Sequence, residues 1–298
     1  AACLAGADLY VEKSFCHTIT EGRALVELAK NRNQPNAHGP LAQRGSTLCC
    51  LTTIARLCNR RLKWDPAAER FFKEAAAVGR LDHPNIVTIY DAGQEHDLAY
   101  IAMDYVAGES LDAWTGKSEL LPVWEVLEIA AQVADALSYA HGRNVVHRDI
   151  KPGNIIYDRG SGVVKITDFG VACILDASGT RTGTVLGSPS YMSPEQVAGK
   201  KTDGRSDLFS LGITLYQLST GQLPFVADTL SGQLNKICNE KQIDAHKLRE
   251  EVPPCLSRII NKSLNKERES RYSNGAQMAK ALRKCRKTCN PNLDISQG

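Results

Sequence analysis

At 298 residues the chain exceeds a typical single domain, so one two-lobed molecule or two small domains fit it equally well. A hydrophobic content of 43% is ample for a packed core, and a net charge of +3 is too small to argue for nucleic acid or a membrane surface as partner. No run of ~18 apolar residues occurs, which argues against a spanning helix, and neither end has the pattern of a signal peptide. The ten cysteines show no regular spacing and are read as free thiols of a reducing, cytoplasmic compartment. Cys49-Cys50 lack the Cys-x-x-Cys partner that a zinc site calls for.

Residues 1–63 show no sustained strand alternation and one helical stretch, near Glu21 to Lys30. From Trp64 onward each segment reads clearly. Asp65-Pro66 combines an N-cap with proline at the first helical position, predicting a helix through Phe71, Phe72 and Glu74 to about Leu81. Asp82-His83-Pro84 stops it, because proline excludes helix for the residue before it. Two β-rich runs, Ile86 to Tyr90 and Leu98 to Met103, predict a hairpin joined by the polar stretch Gly93 to Asp97. Apolar residues at Val123, Val126, Leu127, Ala130, Val133, Leu137 and Ala140 mark one face of a helix over Val123 to His141. Val145-Val146 reads as strand leading into a loop, and Ile155-Ile156-Tyr157 resumes strand. Ser206 to Leu218 has almost no polar face, the pattern of a helix buried at the centre of a domain.

The chemistry concentrates in His147-Arg148-Asp149-Ile150-Lys151-Pro152-Gly153-Asn154 and in Asp168-Phe169-Gly170. A carboxylate at Asp149 can accept the proton of an attacking hydroxyl, and Lys151 can neutralise charge on a transferred phosphoryl group. Asn154 and Asp168 offer hard oxygen ligands, which suit magnesium better than zinc or iron. Singly, an Asp in a loop is usually a turn former; the run and the Asp-Phe-Gly together make the chemical reading far stronger.

These motifs, with Leu81-Asp82-His83-Pro84-Asn85-Ile86-Val87, Tyr100 to Val106 and Tyr191-Met192-Ser193-Pro194-Glu195-Gln196, resemble eukaryotic-type Ser/Thr protein kinases of the bacterial branch. The resemblance runs from about Trp64 to Arg286. It implies an α+β, two-lobed protein-kinase-like fold with a mostly helical large C-lobe and a small N-lobe that is incomplete or divergent. The expected division is 1–63 without kinase motifs, 64–286 as the kinase domain (64–105 small lobe, 106–286 large lobe), and 287–298 as tail, with Lys284 to Cys289 opening a linker.

The resemblance further implies ATP and Mg2+ as cofactors and proteins carrying Ser or Thr as substrates. Asp149 would be the catalytic base, Lys151 a phosphate contact, and Asn154 and Asp168 the magnesium ligands. Met103 would be the gatekeeper, with backbone groups of Asp104 and Val106 holding adenine. Glu195 would pair with Arg271, a surface ion pair being the plainer reading, and Asp207 would brace the catalytic loop. Lys151 and Ser188 suit Ser/Thr rather than Tyr. Arg148 calls for an anionic partner, which phosphorylation of Thr180, Thr182 or Thr184, the latter two favoured, would supply.

Two family parts are missing ahead of Asp65. No Gly-x-Gly-x-x-Gly occurs there, and Lys63, the nearest candidate for the strand lysine that should meet Glu74, lies only 74 − 63 = 11 residues before it. At ~1.5 Å rise per residue the helix carries Glu74 about 12 Å from its start, so Lys63 would have to fold back. A divergent small lobe in a silent pseudokinase, an unrelated module joined to a truncated kinase, and a reading-frame error over residues 1–63 each account for the defect.

Overall fold

A computed structural model of the chain describes residues 81–95, 98–169 and 189–289. The helices expected near Glu21 to Lys30 and from Pro66 to Leu81 lie outside the described residues. The chain divides into two units, one of which contains Val87–Val106 and the other His83–Ile86 and everything from Ala107 onward.

In the first unit, β1 (Ile89–Glu95) and β2 (Leu98–Met103) form an antiparallel pair, in register from Ile89↔Met103 to Glu95↔Leu98 with an irregularity between Ile89 and Asp91. The hairpin is as expected but displaced. Its first strand begins at Ile89 instead of Ile86 and runs on through Gly93 to Glu95, which the sequence reading assigned to the connection. Ile86 is drawn into the second unit, where it is buried and forms a parallel bridge with Ile166, while Asn85 O accepts from Ile166 N at 2.9 Å. Backbone pairing then continues through polar residues, since strand propensity constrains hairpin ends only weakly.

The second unit is mainly helical. Helix α1 spans Val123–His141, the range predicted from its periodicity, with Val126, Leu127, Val133 and Leu137 fully buried. α2 (Pro194–Val197) opens with a capping box formed by Ser193 and Gln196. α3 (Gly204–Thr220) extends the predicted Ser206 to Leu218 at both ends. The Asp203 side chain caps its start by accepting from Arg205 N at 2.9 Å, and Gly221 ends it with φ 70°, a left-handed cap that suits glycine. Its all-round burial, with Leu208, Phe209, Ile213 and Leu215 inaccessible, matches the lack of a polar face in sequence. α4 (Leu230–Asn239), α5 (Ala245–Leu248), α6 (Pro254–Ser263) and α7 (Gly275–Cys289) complete the unit. None of the described helices is long and apolar enough to cross a membrane.

α7 lies along α1 so closely that a Cβ on Gly275 would sit 2.1 Å from Ala134 O. Two expectations are corrected here. Lys284 to Cys289 do not open a linker, because α7 remains helical to Cys289 with Met278, Leu282 and Cys285 buried. Nor are all cysteines free: Cys255 and Cys285 form a disulfide across 30 residues, with Cα atoms 5.6 Å apart, whereas Cys238 and Cys289 are free. Irregular spacing carried no sign of that pair, because packing of α6 on α7 alone brings the two together.

Candidate active site

A small antiparallel sheet sets up the site. Strands β3 (Glu109–Ser110), β4 (Ile155–Asp158) and β5 (Val163–Ile166) lie in the order β3-β4-β5, with Ile155↔Ile166 and Asp158↔Val163 in register. Pairing Ile155 with Ile166 places the residues just outside the hairpin's open end, Asn154 and Thr167-Asp168, beside each other. Thr167 N donates to Asn154 O at 2.9 Å. Ile155 and Ile166 are fully buried, so a one-residue slip would turn them out of the core and separate Asn154 from Asp168.

Ahead of β4, the run from His147 forms a loop with no strand at Val145-Val146, closed by a single 3-10 turn at Pro152–Asn154. Proline starts that turn with its φ already set. The loop hangs on Asp207 in α3, which is wholly buried. Its carboxylate accepts from His147 N at 2.9 Å, Arg148 N at 2.7 Å and His141 Nε2 at 2.7 Å. Gln196 Nε2 donates to Arg148 O at 2.8 Å, and His147 Nε2 donates to Thr167 O at 2.8 Å. Held from both sides, Arg148 adopts φ 71°, a left-handed conformation unfavourable for a residue with a side chain. Asp168 does the same at φ 57°.

These constraints bring four of the predicted residues into one cluster. Asp149 Oδ2 accepts from Lys151 Nζ at 2.7 Å and from Asn154 Nδ2 at 3.0 Å, and the same Asn154 nitrogen donates to Asp149 O at 2.8 Å. Burial pushes the Asp168 carboxyl above its ordinary value, against the pull of His147 and Lys151 and with a smaller push from Asp149. Phe169 is buried with its ring 4.5 Å from that of His147. Because Asn154 uses its nitrogen on Asp149, its amide oxygen is the atom left for a ligand. Together with the Asp168 carboxylate it makes a hard-oxygen donor set, and a bound cation would offset the charge that burial penalises at Asp168.

Glu195 and Arg271 meet as a buried bidentate pair, at 2.7 and 2.8 Å, rather than at the surface. Ser206 Oγ donates to Glu195 Oε1 at 2.6 Å, and Arg271 also donates to Asn265 O at 2.7 Å. Burial alone would raise the Glu195 carboxyl, but the bonds from Arg271 and Ser206 outweigh it and hold the group down at about 2.

Met103, Asp104 and Val106 belong to the first unit. Met103 is buried, Asp104 N donates to Thr88 O at 2.9 Å, and the Tyr90 hydroxyl donates to the Asp104 carboxylate. Lys63, Glu74, Gly170, Thr182, Thr184 and Ser188 lie outside the described residues. Sequence reasoning missed His141, Thr167 and Gln196 as supports of the loop. Gln196 was within reach, since its capping-box position after Ser193 fixes its direction; His141 and Thr167 have no local signal.

The profile of the protein kinase domain family matches residues 53–284. A probable serine/threonine-protein kinase of Clostridium perfringens is 40% identical over 228 residues, covering 76% of this chain and 33% of that protein. The serine/threonine-protein kinase PrkC of Bacillus subtilis is 40% identical over 210 residues, covering 70% and 32%. The chain thus spans about a third of the length of these relatives. Among solved structures, the crystal structure of Rad53 1–466 in complex with AMP-PNP superposes with a TM-score of 0.61 at 25% identity, covering 70% of this chain and 53% of that one.

Proposed function

Since the chain belongs to the protein kinase domain family, of the eukaryotic type found in bacteria, we propose that it transfers the γ-phosphoryl group of ATP to Ser or Thr hydroxyls of proteins. The observation that carries this reading is the cluster in which Asp149 is oriented by Lys151 and Asn154 on a loop fixed by Asp207. Asp149, with one oxygen held by two donors, presents the other to the substrate hydroxyl and takes up its proton as the oxygen attacks phosphorus. Lys151, on the same side, offsets negative charge on the phosphoryl group as it moves. Asn154 and Asp168 would hold magnesium, which supplies charge neutralisation on the phosphate oxygens. Asp104, whose N–H already serves Thr88, would meet adenine through its carbonyl and Val106 through its backbone, next to the gatekeeper Met103.

Phosphorylation of Thr182 or Thr184, with Ser188 shaping the hydroxyl site, is the regulatory part of the proposal. Its support is Arg148, whose backbone is pinned between Asp207 and Gln196 immediately before the base, so that an anion drawn to it would steady Asp149. A silent scaffold that signals by binding is the second reading, favoured by the absence of Gly-x-Gly-x-x-Gly ahead of Asp65. The test is ATP-dependent phosphate transfer to itself and to a Ser/Thr-rich protein, measured beside Asp149→Asn. Loss of the base should lower the rate about 10²–10⁴-fold. Equal background rates in both proteins would refute the enzyme reading and leave the scaffold.

A further inference from the structure

We propose that Cys255, Cys285 and Cys289, once reduced, form a three-thiolate site for a zinc-class divalent ion on the α6–α7 face of the second unit. Cys255 stands in the first turn of α6, and Cys285 and Cys289 are four residues apart on α7, the spacing at which two helical side chains address one ion. The three sulfurs lie within 4.8 Å of one another, and Cys255 Sγ is 4.0 Å from Cys289 Sγ. Tetrahedral thiolate coordination with Zn–S near 2.3 Å requires sulfurs roughly 3.8 Å apart, so Cys255 and Cys289 already stand near ligand spacing.

The framework is rigid where it needs to be. Cys285 is buried beside Leu282 on α7, and Cys255 is fixed by the start of α6, while Cys289 is exposed and opens the site to solvent. Three protein ligands therefore leave a fourth position for water. Three thiolates around a dication carry one net negative charge. The adjoining recess is lined by Arg249 and Arg258 as well as Glu250 and Glu251, so cations stand near that charge although acids share the recess. Thiolate donors select a borderline or soft ion over magnesium, which keeps this site chemically distinct from the Asn154 and Asp168 oxygens.

The Cys255–Cys285 disulfide is the oxidised, metal-refusing form of the same site, since it consumes two of the three ligands. An external dithiol opens it by passing two electrons and two protons to the sulfurs, giving two thiols and the reductant's own disulfide. Ion binding then displaces the thiol protons.

The test takes the full chain, reduced with a phosphine and freed of reductant under argon, and titrates it with Co2+ as optical probe and Zn2+ as displacing ion. One equivalent of cobalt should give thiolate-to-metal charge-transfer bands that Zn2+ abolishes, and the unreduced protein should give none from this site. Cys289→Ser, at an exposed position, should weaken binding more than about tenfold, whereas Cys238→Ser should leave it unchanged. Alkylation footprinting of the wild-type protein provides a readout without any variant: Zn2+ should protect Cys255, Cys285 and Cys289 together. Absence of binding, binding unaltered in Cys289→Ser, or protection mapping to other cysteines overturns the proposal.

Discussion

Replacing Asp207 by Asn keeps the shape of the side chain and removes its charge, which isolates what that carboxylate does. Its two oxygens accept three donors, Arg148 N at 2.7 Å on Oδ1, and His147 N at 2.9 Å and His141 Nε2 at 2.7 Å on Oδ2. Asparagine supplies one carbonyl oxygen and one NH2 group. In either orientation the NH2 faces at least one buried N–H, and every remaining bond loses its charge assistance. A hydrogen bond to a charged group contributes roughly 1.5–3 kcal/mol, so one lost bond, one stranded donor and weakened neighbours total about 3–5 kcal/mol. The left-handed Arg148 backbone, at φ 71°, costs roughly 1–2 kcal/mol and persists because these bonds over-determine it. Once they weaken, the loop relaxes and Asp149 leaves its place between Lys151 and Asn154. Urea denaturation of wild type and Asp207→Asn should therefore differ by about 3–5 kcal/mol. Phosphate transfer by the folded fraction should fall about 10²-fold, the cost of a base displaced by ~1 Å. A stability within about 1 kcal/mol of wild type, with transfer unchanged, would show that Asp207 neither fixes the loop nor positions Asp149.

The Glu195–Arg271 pair makes stability depend on acid. Its carboxyl sits at about 2 in the folded protein against an ordinary 4.5, so the pair's contribution is complete above pH 4.5 and is lost as pH falls toward 2. Arg271→Met should cost about 3–5 kcal/mol at neutral pH by stranding a buried carboxylate, and the deficit should narrow on acidification as that carboxyl takes up a proton; a pH-independent deficit in urea melts argues against the pair as its source. Gly275→Ala drives a methyl into Ala134 O and should destabilise by about 1–3 kcal/mol or more in a thermal melt, while an unchanged melting temperature means α7 can move away from α1 without cost. Thr182→Ala with Thr184→Ala should lower phosphate transfer, followed by steady-state rates, and full activity in the double variant rules out the proposed loop switch.

The sequence by itself determined what is local. Helix α1 occupies the range that its apolar repeat marks, α3 differs only at its ends, and the run from His147 to Asn154 stood out as a motif without any neighbours. Such signals are legible because helical periodicity and motif order depend on residues a few positions apart. Tertiary structure decided what depends on distant partners. The first strand begins at Ile89 because Ile86 pairs with Ile166 instead, and Cys255 finds Cys285 because α6 packs on α7. Asn154 meets Thr167 through cross-strand register, and Asp207 finds two loop amides and His141 some sixty residues away. No spacing rule encodes those encounters: a buried carboxylate takes whichever donors packing delivers, and a strand takes the register that buries its apolar face. Asp149, Lys151 and Asn154 could thus be singled out from the chain alone, while the arrangement that holds them together had to come from the fold.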